Sequence, residues 1–244
     1  MAPGLPGFYH LTALDVVSST NDVALDRATD GAPEGTLITA RSQSAGRGRR
    51  GRTWVSPSGN LHLSLILAPG AGQAGAIGFA ASLAAADTVA HYAPDHAVAV
   101  KWPNDVLLDG AKIAGLLIEA VPGKPDMIVL GVGINIAAHP PETPYPATSL
   151  VAIGACVDAD TLRDGFCRAF VGYYDTLRRE GFAPLRAAWL ARASGIGGVI
   201  TVNLEGARFD GTFAGLDEAG ALVLDQGTAG VRKITAGDVF FGRA

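Results

Sequence analysis

The sequence predicts an α/β protein in two units, a large one over residues 1–194 and a small all-β one of SH3-like barrel type over residues 195–244. Three observations carry this. Apolar strand patterns alternate with helical patterns up to about residue 193. The composition then shifts at Gly195-Ile196-Gly197-Gly198. Beyond that point, short apolar runs recur between turn residues through the last ~50 positions, the signature of a small barrel.

The elements follow in order. Tyr9 to Val16 is extended, and Ser18-Ser19-Thr20-Asn21-Asp22 is a dense helix-start signal, with Val23, Ala24, Leu25 and Ala28 on the following turns and Gly31 as a stop. Thr36 to Ala40 reads as a strand. Ser42 to Gly59 has no apolar periodicity and reads as a long loop, a length that usually marks function or disorder. Leu61-His62-Leu63-Ser64-Leu65 alternates, as a strand does. A helix covers about Ala74 to His91. Ala97 to Trp102 is extended, Pro103-Asn104-Asp105 turns, and Val106 to Leu108 and Ala111 to Ala120 form a hairpin about Asp109-Gly110. Asp126 to Ile136 is an apolar strand. A Pro-rich connection runs from Pro140 to Pro146, and helical patterns fill about Asp160 to Ala193. About five short strands are expected in the last unit, four of them at Val199 to Leu204, Arg208 to Gly215, Ala221 to Leu224 and Val231 to Ile234.

Composition narrows the function classes. With 48% hydrophobic and 17% charged residues among 244, the chain is globular rather than disordered. A formal net charge of −4 gives no global attraction to nucleic acid, so any basic site is local. The N-terminal MAPGLPGFYH lacks the pattern of a signal peptide. The long apolar stretch from Ala74 to Ala93 is interrupted by Gly75, Gly78, Asp87 and His91, so it reads as a core helix rather than a membrane span. Cys156 and Cys167 are read as two reduced, buried thiols, which makes the cytoplasm the expected compartment.

Four segments carry chemistry. In Gly46-Arg47-Gly48-Arg49-Arg50-Gly51-Arg52, four arginines in seven residues repel one another and call for an anionic partner. Guanidinium forks suit phosphate or carboxylate, and the glycines admit close backbone approach. A solvated basic loop is the plain alternative. The glycines also match G-x-G-x-x-G, but a strand rather than a helix follows, against a dinucleotide site. An RNA-binding arginine-glycine segment would be longer and lie in a tail. The second segment is Lys101-Trp102-Pro103-Asn104-Asp105 with Lys112-Ile113-Ala114-Gly115. Strand alternation puts Lys112 and Ala114 on one side, and an ammonium there is costly unless it meets a ligand anion. Asn104 and Asp105 could serve a hydrated Mg²⁺, or simply form a turn with Lys112 at an edge. Third, Ser19-Thr20-Asn21 caps a helix and also offers hydroxyl and N–H groups to a polar ligand. Fourth, the glycines of Gly131-Val132-Gly133-Ile134-Asn135 imply close approach by another group, and Asn135 among apolar neighbours needs a hydrogen-bond partner such as a purine edge.

In this order, with Gln43-Ser44-Ala45 leading into the arginine segment, these motifs resemble the biotin protein ligase family from about residue 10 to 150, and more weakly in the last unit. The resemblance implies a mixed-sheet catalytic domain related to class II synthetase and lipoate ligase folds, which would bind biotin and ATP, plus the SH3-like domain. It implies that biotin and MgATP give biotinyl-5′-AMP and pyrophosphate, and that a lysine of a biotin carboxyl carrier protein then takes the biotinyl group. By position, Ser19, Thr20, Asn21 and Gln43 would meet the ureido end of biotin, with Gly46, Gly48 and Gly115 allowing close approach. Lys112, Arg47 and Arg49 would be catalytic and would hold carboxylate and phosphate. Arg52, Trp54, Lys101, Asn104 and Asn135 would join them around ATP, and Asp105 would support the metal. No histidine falls in a matching motif. Family members that repress transcription carry an N-terminal DNA-binding domain; none fits before Phe8, so the expectation is a ligase without DNA or membrane partners, monomeric or weakly homodimeric. The alternatives are a lipoate or octanoate ligase or transferase, which needs no ureido contacts, and a non-catalytic biotin-adenylate sensor. Lys112 and Asp105 argue against the sensor.

Overall fold

The structure is a computed structural model that describes residues 4–143 and 145–241. The extreme ends of the two predicted units and residue 144 of the Pro-rich connection lie outside the described residues. Strand β1 (His10–Val17), helix α1 (Thr20–Thr29) and strand β2 (Thr36–Gln43) form a βαβ unit in which β1 and β2 pair in parallel. Ser19 caps α1 by accepting the Asn21 N–H at 3.2 Å, as its sequence position foretells. Strand β3 (Leu61–Leu67) is antiparallel to β2 and to β7 (Lys124–Ile134). Beyond β7 come β6 (Ala111–Val121), β5 (Asp105–Leu108) and β4 (Val98–Lys101), giving a seven-stranded mixed sheet of order β1-β2-β3-β7-β6-β5-β4. The Asp109-Gly110 hairpin turn appears as predicted, both residues at positive φ.

Strand alternation divides this sheet between two layers. Leu63, Leu65 and Leu67 of β3, with Leu130 and Val132 of β7, face helices α2 (Ile77–Tyr92) and α3 (Ala159–Glu180). The alanines of α2 let the helices approach closely, and Leu162, Phe166, Phe170, Tyr174 and Leu177 form the buried stripe of α3. Gly181, at φ 79°, ends α3 before α4 (Phe182–Leu190), so the helical patterns of this stretch form two helices. On the other face, α1 buries Ala24 and Ala28 against Ile38, Ile66, Val121 and Val129. With only 10 residues, α1 covers only part of that face. The rest of it holds the candidate site.

The last unit is an antiparallel sheet of order β11-β10-β9-β8-β12, built from β8 (Val199–Leu204), β9 (Ala207–Leu216), β10 (Leu222–Asp225), β11 (Val231–Ile234) and β12 (Asp238–Phe241). No ladder joins β11 to β12 among the described residues, so the expected barrel is an open sheet. Strand β12 is the fifth strand, to which the sequence reading assigned no position. The hydrophobic cluster of the large unit runs on through Ile200, Val202, Phe213 and Leu222. Trp102 Nε1 donates to the Gly220 carbonyl at 3.2 Å, and Arg186 Nε donates to that of Asp217 at 2.9 Å. One thiol expectation is corrected: Cys167 is buried but Cys156 is exposed, because it lies in the irregular segment before α3. Among the described residues, no helix is long and apolar enough to cross a membrane.

Candidate active site

The uncovered part of this sheet face is a glycine-floored furrow. Residues paired across antiparallel strands share a face. One row therefore runs Asp105, Gly115, Gly133, His62 across β5, β6, β7 and β3. The next runs Leu117, Gly131, Ser64. A methyl group on Gly133 would lie 2.7 Å from Trp54 Cζ2, and one on Gly131 would lie 2.9 Å from Asn21 Cγ. The close approach implied by these glycines is thus made by Trp54 and Asn21. A cavity of about 310 Å³ opens here, the size of a small-molecule site.

A β-bulge aims Lys112 into this furrow. The β5–β6 register shifts between Val106 and Leu107, so alternation breaks at Ile113. Lys112 therefore shares a face with Gly115, not Ala114 as simple alternation predicts: its Cε lies 3.2 Å from the Gly115 methyl position. Its Nζ is 2.6 Å from Asp105 Oδ1 and 5.5 Å from the Trp54 ring. The ammonium that seemed to require a ligand anion already has a carboxylate.

The arginine segment is similarly tied down. Gly48 N–H bonds the Arg52 carbonyl at 2.7 Å, Trp54 N–H bonds that of Gly46 at 2.9 Å, and Arg50 and Gly51 turn at positive φ. Gly46 leaves room for Ser56 and Trp54, so its immediate use is to fold the loop on itself. Three of the four arginines find their anionic partner within the protein, because tertiary structure supplies three carboxylates. Arg47 pairs with Asp22 at 2.7 Å and Glu119 at 2.8 Å. Asp238 of the last sheet holds Arg52 at 2.6 Å and Arg50 at 3.4 Å. Arg49 differs: its bonds go to neutral oxygens, Asn104 Oδ1 at 3.2 Å and the Gly237 carbonyl at 3.4 Å. Lys101, 7% exposed, rests over Tyr145 at 4.2 Å and Phe241 at 5.2 Å, again without a carboxylate among the described residues in ion-pair range. Burial lowers the pKa of both cations, with Asp238 opposing at Arg49 and Asp105 at Lys101.

The polar end of the furrow is a continuous hydrogen-bond chain from Ser56 to Glu119. Gln43 Oε1 accepts from Thr20 N–H at 2.7 Å and Thr20 Oγ1 at 3.0 Å, and Gln43 Nε2 donates to Ser56 Oγ at 2.7 Å. Ser64 bonds Thr20 and Asn21, and Asn21 Nδ2 donates to Glu119 at 2.7 Å. Asn135 gives its amide to the Thr148 carbonyl at 3.0 Å, a partner from the protein rather than a ligand. Ser19, Thr20, Asn21, Gln43, Arg47, Gly48, Arg49, Arg52, Trp54, Lys101, Asn104, Asp105, Lys112, Gly115 and Asn135 all line the cavity, whereas Gly46 stands behind it. Sequence reasoning missed His62, Glu119, Tyr145 and Asp238, which line or brace the site. The alternation of β3 puts His62 and Ser64 on one face, a legible signal; Asp238 and Glu119 gave none.

Comparison with known proteins agrees with this geometry. Residues 13–135 match the family described as "Biotin/lipoate A/B protein ligase family", and residues 195–242 match "Biotin protein ligase C terminal domain". A biotin–[acetyl-CoA-carboxylase] ligase of Paracoccus denitrificans is 41% identical over 92% of this chain and 97% of its own length. The chain belongs to the biotin protein ligase family. Another member, a biotin–[acetyl-CoA-carboxylase] ligase of Mycobacterium tuberculosis, is 36% identical over 93% of this chain and 88% of its own. The biotin protein ligase of Aquifex aeolicus, solved in complex with biotin and ATP, superposes with a TM-score of 0.83 at 24% identity, covering 96% of this chain and 99% of that one, and so shares the ligase fold.

Proposed function

We propose that the chain activates biotin with ATP and transfers it to a lysine of a biotin carboxyl carrier protein in the cytoplasm. The observation that carries the proposal is the pair of carboxylate-free cations, Arg49 and Lys101, beside Lys112 at one end of a furrow whose other end is the Gln43–Thr20–Ser64 hydrogen-bond chain. Such a cleft suits a molecule with a polar head, an aliphatic chain and an anionic end. The names of the relatives supply biotin and acetyl-CoA carboxylase.

In the first half-reaction, a biotin carboxylate oxygen attacks the α-phosphorus of ATP and pyrophosphate leaves. Negative charge gathers on the phosphoryl oxygens, and Lys112, Arg49 and Arg47 stabilise it from fixed positions. Asp105, 2.6 Å from Lys112 Nζ, then acts as the counter-ion that aims it. In the second, the carrier lysine nitrogen attacks the biotinyl carbonyl, and AMP leaves. Magnesium would arrive with ATP, held by phosphate oxygens and water. The described residues present no cluster of three metal-binding side chains, so Asp105 fits at most one ligand position. In this reading Trp54 lies where the biotin chain and the adenine meet, Asn135 belongs to the adenine side, and Lys101, Asn104 and Arg52 belong to the phosphate side.

Pyrophosphate release that depends on biotin, followed by labelling of the carrier lysine, is the expected result. Release driven by lipoate or octanoate instead would reassign the substrate. Tight biotin binding without pyrophosphate release would make the chain a sensor.

A further inference from the structure

The pairing of β3 with β7 sets His62 opposite Gly133, and the Trp54 ring lies on Gly133, so imidazole and indole share one spot on the sheet. His62 is 1% exposed. Its Nε2 stands 3.2 Å from the Pro57 carbonyl oxygen, which can only accept, so Nε2 carries the proton. Burial lowers the ring pKa, the Pro57 bond opposing, and the ring is therefore neutral with Nδ1 a bare acceptor. That Nδ1 is buried without a partner, and so is the Trp54 Nε1 donor. Together they are an orphan acceptor and an orphan donor, complementary and adjacent. In this arrangement the indole rests on Gly115 and Gly133, flush with the furrow floor, and a ligand chain has no room beneath it.

We infer that His62 is a positioning residue for Trp54: when ligand enters the furrow and lifts the ring, the indole N–H donates to His62 Nδ1 and fixes the ring against the bound molecule. The inference rests on the biotin reading above. It gives a role to a histidine that lies in none of the motifs, and it resolves two unsatisfied buried groups in one bond. His62 acts through Trp54 and touches no reacting atom.

The direct test is the ¹⁵N-labelled wild-type protein, with the indole signal of Trp54 identified by its loss in Trp54→Phe. Saturating biotin should move that proton downfield, slow its exchange and reveal a through-bond coupling to the His62 ring. In calorimetric titrations, His62→Phe should weaken biotin binding about tenfold, the loss of one hydrogen bond. His62→Asn, which keeps an acceptor near Nδ1, should stay within about threefold of wild type. In the Trp54→Phe background the His62→Phe loss should vanish, as it must if one residue acts through the other. An indole signal unmoved by saturating biotin overturns the inference, as does a His62→Phe loss of equal size with Phe at position 54. If His62→Phe does not fold, the wild-type spectrum still decides. Failure of the wild type to bind biotin at all would count against the functional reading, whereas binding without the indole shift overturns this inference alone.

Discussion

Substituting Gly131→Ala should damage both stability and ligand binding, and the size of the damage follows from one side chain. The new methyl would lie 2.9 Å from Asn21 Cγ and 3.0 Å from its Nδ2, well inside van der Waals contact. Asn21 is 3% exposed, at the start of α1, and bonded to Ser64 and Glu119, so its amide cannot simply swing into solvent. Two outcomes are open to the protein. If Asn21 stays, overpacking costs about 1–3 kcal/mol. If it leaves, a neutral bond of about 1 kcal/mol is lost, with a charged one of roughly 1.5–3 kcal/mol that the partial exposure of Glu119 reduces. Replacing a strand glycine by alanine returns roughly 0.5–1 kcal/mol of backbone entropy. The cheaper outcome sets the cost, so the net loss should be roughly 0.5–2.5 kcal/mol by urea denaturation. Biotin affinity by calorimetry should fall about tenfold, because the polar chain through Gln43, Thr20, Ser64 and Asn21 loses a member. Gly133→Ala is the control. Its methyl meets Trp54, which sits on a surface loop and can shift, so the stability cost should stay below about 1 kcal/mol. A Gly131→Ala protein within about 0.5 kcal/mol of wild type, with unchanged biotin affinity, would refute the packing argument.

Other outcomes follow from the same geometry. Lys112→Ala should cut biotin adenylation about 10²–10³-fold at saturating substrates, since the charge it supplies is needed most at the transition state; a pyrophosphate assay reads this, and near-normal turnover would remove Lys112 from the chemistry. Arg49→Gly should leak adenylate, because it deletes the one loop guanidinium that no carboxylate holds among the described residues; escape should quicken about 10–150-fold, seen as biotin labelling of a bystander lysine-rich protein, and labelling equal to wild type argues against retention by Arg49. Asp238→Asn should speed hydrogen exchange across 47–53, since one carboxylate anchors both Arg50 and Arg52; an unchanged rate would mean the cross-unit pairs do not order the loop. The buried neutral His62 also sets a pH dependence. Its folded pKa lies below the ordinary 6.5, so as the pH drops the unfolded chain takes up the proton first. This contribution is constant above about pH 6.5 and is lost progressively below it. Wild type should therefore lose more stability between about pH 6.5 and 5 than His62→Asn does; parallel denaturation curves would contradict a neutral buried ring.

The sequence by itself determined most of the elements, because those signals are local, whereas the residues expected around the furrow came from the family resemblance. Alternation in β3, the cap at Ser19, the Asp109-Gly110 turn and the apolar stripe of α3 each depend on residues a few positions apart, and the steric and hydrogen-bonding rules behind them act over that range. Glycines inside β6 and β7 announced that something must come close. What came close was not legible. Whether four arginines lack counter-charges depends on Asp22, Glu119 and Asp238, which reach the loop only through the sheet and the second unit. The face on which Lys112 lies turns on a bulge opposite Val106 and Leu107, and Asp105 becomes its partner through that register. His62 looked like one polar residue in an apolar strand until β3–β7 pairing set it beside Trp54. Electrostatic compensation and close packing are properties of distances in space, and chain folding sets those distances between residues that the sequence keeps far apart.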